Sequence, residues 1–125
     1  MIDLLPKQVP ADSDGQYFAV ERFYTQAPFQ EEVNRKFAHL LIKLNCYFDL
    51  TCVADKGWVE NPDPKELYQA LTTGSQGDYL NILLPSEESL IAWQADDLYM
   101  TLYHPSEELL ALVEKLAAAE GLFVR

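Results

Sequence analysis

Across positions 28–44, Val33, Phe37, Leu40, Leu41 and Leu44 recur at helical spacing and draw one apolar stripe along a polar segment. The stripe predicts a long helix. Pro28 suits its first turn, where a missing N–H is harmless, and Glu31 and Glu32 favour the positive end of the helix dipole. Glu31 with Arg35, and Glu32 with Lys36, are i,i+4 pairs on the solvated side. A shorter helix is expected from the capping signal Asp63-Pro64-Lys65-Glu66 through Leu67 and Leu71 to Thr73-Gly74. A third starts near Ser106, carries Leu109, Leu112, Val113 and Leu116 as its stripe, and ends at Gly121, suited to a left-handed cap.

Period-two patterns predict the strands. Residues 16–24 place aromatic side chains on both parities, the signature of a strand covered on both faces. Over 46–53, Cys46, Phe48, Leu50 and Cys52 alternate with Tyr47, Asp49 and Thr51. Both cysteines then read as buried small hydrophobes, too far apart along one strand to form a disulfide. Residues 55–62 read as a loop carrying Trp58, and 1–15 as an irregular lead-in. In the second half, 79–84, 90–94 and 98–103 read as a meander, and Leu122-Phe123-Val124 as a terminal strand. The expected order is β-α-β-α-β-β-β-α-β. It implies an α+β two-layer sandwich, with a mixed or antiparallel sheet of about five to six strands and the helices packed on one face. Residues 1–125 read as a single domain without repeats or a splitting linker.

Composition narrows the functions. The 125 residues are 49% apolar and 12% aromatic, enough to build a core, with 20 acids against 9 bases and a net charge of −11. A nucleic-acid backbone is a poor partner for that charge. Neither a signal peptide nor an apolar run of membrane-spanning length is seen, so no membrane role is expected and the expected location is cytoplasmic. The acid excess deepens along the chain. Residues 1–66 hold eleven acids against seven bases, and 67–125 hold nine against two.

No nucleophile elbow, phosphate loop, dinucleotide fingerprint or zinc-protease signature is present. Gly74-Ser75-Gln76-Gly77 follows a helix and precedes a strand, the reverse of a phosphate loop, and reads as a helix cap and loop. No catalytic residue, metal site or cofactor is therefore assigned. Two constellations stand out. The meander brings Glu87, Glu88, His104, Glu107 and Glu108 to one sheet end, with Asp96 and Asp97 about 20 Å away at the other. If Leu98, Met100 and Leu102 face the helices, then Tyr99 and Tyr103, with Tyr47 and Trp93, line the opposite sheet face as an aromatic surface. His39 falls near the polar side of the long helix and reads as exposed.

From Gly77-Asp78-Tyr79-Leu80 through Leu84-Pro85-Ser86-Glu87-Glu88 and Trp93-Gln94-Ala95-Asp96-Asp97 to the last helix, the chain resembles small conserved proteins of low-GC Gram-positive bacteria that have no assigned function. The resemblance covers most of the chain, carries over no functional residues, and implies a bacterial cytosolic origin. The leading functional expectation is a non-catalytic binding or regulatory module for a basic protein partner, steered by charge. A homodimer through the aromatic face fits the same residues. The alternatives are a small-molecule binder using that face and a carboxylate-based enzyme at the Glu87/Glu107 end.

Overall fold

The computed structural model describes residues 1–12, 15–54, 57–73 and 78–125. In chain order its elements are β1 (Ile2–Asp3), α1 (Gln16–Tyr24), α2 (Phe29–Leu44), β2 (Thr51–Ala54), β3 (Gly57–Glu60), α3 (Pro64–Thr72) and β4 (Tyr79–Leu84). A short 3-10 turn, Pro85–Glu87, leads into β5 (Ser89–Gln94), β6 (Tyr99–Tyr103), α4 (Glu107–Ala119) and β7 (Phe123–Val124). The strands form one antiparallel sheet in the order β3-β2-β4-β5-β6-β1-β7. The expected α+β sandwich is present, with a seven-stranded sheet against the five to six strands expected.

One sheet face carries Ile2, Cys52, Leu80, Ile82, Leu84, Ile91, Trp93 and Met100 into the core. Val33, Phe37, Leu40, Leu41 and Leu44 of α2 meet them, with Leu67 and Leu71 of α3 and Leu109, Val113 and Ala117 of α4. The three expected helices therefore form for the reason their stripes give: each has one face to bury. Asp63 caps α3 by accepting the Lys65 N–H at 2.8 Å, and Ser106 Oγ caps α4 by accepting the Leu109 N–H at 3.1 Å.

Four local expectations are corrected. Residues 16–24 are helix α1, which buries none of its residues and so lacks the stripe that would reveal it. Phe23 holds it to α2 by stacking on Phe29, ring centroids 4.3 Å apart. Residues 46–48 close the end of α2, where Phe48 N–H donates to Leu44 O, so the strand begins only at Thr51 and Cys46 is exposed. Cys52 is buried as expected, and burial pushes its thiol up to about 11. The lead-in contains β1, and the Trp58 loop contains β3, hydrogen-bonded to β2. Two further placements follow. His39 is only partly exposed, 5.7 Å from the ring of Tyr68, and Gly74-Ser75-Gln76-Gly77 lies outside the described residues.

The N- and C-terminal strands are joined by an ion pair. Asp3 Oδ2 accepts from Arg125 Nε at 2.8 Å and from Nη2, while Oδ1 accepts the Leu5 N–H at 3.0 Å. The Asp3 side chain is 7% exposed.

Candidate interaction surface

The antiparallel register lays out the sheet face opposite the helices in rows. Trp58, Val53, Asn81, Ala92 and Thr101 run across β3, β2, β4, β5 and β6. A parallel row holds Glu60, Thr51, Leu83, Leu90 and Tyr103. Tyr79 stands opposite Gln94, and Asp3 lies between Tyr99 and Phe123. On this outer face Trp58 is 65% exposed and Tyr103 47%, and Leu83, Tyr79 and Phe123 are exposed too. These apolar side chains stand on one sheet face, with Thr51, Asn81 and Thr101 between them.

Tyr99 and Tyr103 stand on this face as the parity argument expects. Trp93 does not. It sits opposite Leu80 and Met100 on the core side and is 2% exposed, its indole N–H buried without a hydrogen-bond partner among the described residues. Its strand parity was readable, but the register tying that parity to Met100 was not. Tyr47 is exposed but belongs to the turn after α2 and not to a strand. Sequence reasoning missed Trp58, Leu83 and Tyr79. Leu83 and Tyr79 occupy the parity opposite Leu80, Ile82 and Leu84, which was available to read, whereas Trp58 had no strand to be placed on.

Five of the nine bases, Arg35, Lys36, Lys43, Lys65 and Lys115, lie on α2, α3 and α4, and Arg125, beside the outer face, is taken up by its ion pair with Asp3. No described strand contains Lys or Arg. Acids rim the outer face: Glu60 on it, Asp78, Asp96 and Asp97 at one end, and Glu87 and Glu88 at the other. The field at the Asp97 end is visible in the titrating groups. Burial, then Asp96 and Glu21, hold the Asp97 carboxyl above its ordinary value. Asp97, then burial, and then Glu21 and Asp3 push the Tyr99 phenol up. Tyr17 is raised by burial and by Glu21, with smaller effects from Asp3 and Tyr99; Tyr17 and Phe18 line a cavity shared with Asp3 and Arg125, which sets α1 beside β1.

A pH signature follows. Folded Asp97 holds its proton more tightly than the unfolded chain, so its ionisation opposes folding as pH rises through and above the ordinary value of 3.8. Asp97→Asn is expected to raise the urea midpoint at pH 7 and to leave it unchanged at about pH 3.5, where both states are largely protonated.

The other predicted constellation is gathered at one sheet end. Ser89 Oγ donates to His104 O at 2.7 Å and lies 3.1 Å from Glu87 O, which ties the β4–β5 turn to the start of the α4 connection. His104, Glu88, Glu107 and Glu108 are exposed there. Among the described residues, no three His, Cys, Asp or Glu side chains are arranged to hold a metal ion. A cavity of about 340 Å³ lies elsewhere, between the N-terminal segment and α1, lined by Asp3, Leu5, Tyr17, Phe18 and Arg125 among others. Among the described residues no helix is long and apolar enough to cross a membrane. No family model, curated protein or solved structure matches the chain.

Proposed function

We propose that this protein is a non-catalytic binding module that captures a basic protein partner on its outer sheet face. The observation that carries the reading is the coincidence of two properties on one surface. Trp58, Leu83, Tyr103 and Tyr79 expose apolar area, and the strands beneath them carry no cation. Apolar area with aromatic anchors supplies binding energy, and an acidic rim steers a positive partner and rejects negative ones. Among the described residues, α2, α3 and α4, where most bases lie, expose no large hydrophobic side chain, and α1 exposes Phe18, Val20 and Phe23 without an acidic rim of comparable extent. The stripes of α2, α3 and α4 are spent on the core.

The experiment compares immobilised wild-type protein with a Trp58→Ser, Leu83→Ser, Tyr103→Ser variant of identical net charge, in lysate at low ionic strength. Basic proteins retained by the wild type, absent from the variant and released by raised salt support the reading. Equal retention by both proteins means generic acidity alone is at work and overturns it, as does retention by neither.

A further inference from the structure

The backbone of β3 adds a directional feature to this surface. Asn61 N–H donates to Leu50 O at 2.7 Å, which fixes the phase of the β2–β3 ladder. In an antiparallel pair, residues that exchange hydrogen bonds alternate with residues that do not. With Thr51 opposite Glu60 and Val53 opposite Trp58, the bonded positions of β3 are Gly57 and Val59. The N–H and C=O groups of Trp58 and Glu60 therefore point away from β2, off the free edge of the sheet. Among the described residues no strand pairs with that edge, and all four β3 residues are exposed.

We infer that β3 captures an extended basic segment of the partner by strand addition, with hydrogen bonds to the Trp58 and Glu60 backbone. This rests on the proposed function and specifies how the same surface engages. Trp58 and Glu60 both present their side chains on the outer face, so the added strand sets alternate residues beside an indole and a carboxylate. Lysine or arginine suits both positions, by cation–π contact with Trp58 and by charge pairing with Glu60. The intervening residue falls beside exposed Val59 on the other face and suits an apolar side chain. The matching ligand is thus an extended segment of alternating basic and apolar residues, recognised as an extra strand. A second copy of this chain is a poor occupant, since it brings another −11 to the contact.

The test uses the full chain, a short peptide alternating lysine and valine, and a counterpart with glutamate for lysine. Amide exchange is followed residue by residue. The lysine peptide is expected to slow exchange at Trp58 and Glu60 by about tenfold or more while the glutamate peptide does nothing. Glu60→Pro removes an edge N–H that β2 does not use, and should abolish this binding. Glu60→Thr, which keeps the N–H without the charge, should retain part of it. Equal binding by these two variants, or binding with no protection at Trp58 and Glu60, overturns strand addition and leaves capture by the face standing. Absence of binding overturns it as well, and the lysate comparison then decides the face reading separately. Protection that grows with protein concentration and no peptide assigns the edge to a second copy and also overturns it.

Discussion

Arg125→Ala is expected to destabilise the fold by about 3 kcal/mol, the low end of the cost of leaving a buried charge without its partner. The physical reason is an asymmetry in the pair. Arg125 keeps a 27% exposed side chain and can return to water, whereas Asp3 is nearly enclosed. With the guanidinium gone, Oδ2 loses both of its donors and only the Leu5 N–H on Oδ1 remains. Asp3→Ala should cost less, about 2 kcal/mol, because the charge left behind is the one with access to solvent. Pairing Asp3→Leu with Arg125→Met should recover much of the loss, since apolar replacement of both partners strands no charge. Urea unfolding of the four proteins gives each cost relative to the wild type. Equal costs for the two single variants would contradict the asymmetry.

Trp58→Ala is expected to weaken partner binding by about 2 kcal/mol or more, roughly thirtyfold, with little change in stability. A side chain 65% exposed in the free protein contributes little to folding and has most of its area left to bury on association. Leu83→Ala and Tyr103→Ala should each weaken binding by smaller amounts, in line with the lesser role of residues surrounding an aromatic anchor. Phe18→Ala on α1, also an exposed aromatic, should leave affinity unchanged. Titration calorimetry with a captured partner separates these cases, and unfolding midpoints confirm that the variants fold.

What the sequence made legible follows from what each segment buries. α2, α3 and α4 each press a stripe into the core, so their periodicity was readable, and their caps marked their ends. The meander was readable for the same reason, since β4, β5 and β6 each turn one parity inward. α1 was unreadable because none of its residues is fully buried, and its Tyr, Phe and Val residues favour strands by propensity. β1 has two residues and β3 four, too short for alternation to register. At 46–53 a real alternation misled, because the end of α2 runs into it and tertiary packing decides where the strand starts.

The same logic applies to the interaction surface. Parity placed Tyr99 and Tyr103 correctly, but Trp93 needed the β5–β6 register, which pairs it with Met100 and sends it inward. Trp58 entered the surface only because β3 exists. The composition showed how much acid the chain carries, and only the fold showed that the strands are free of bases and that five of the nine lie on the helical layer.

Hydroxyl-radical footprinting of the protein alone and with a captured basic partner tests the central claim most directly. Loss of reactivity at Trp58, Tyr79, Leu83 and Tyr103, with Phe18 and Phe23 of α1 unchanged, is the result expected. Protection of Phe18 and Phe23 with Trp58, Leu83 and Tyr103 still reactive would contradict it, and would move recognition from the sheet to α1.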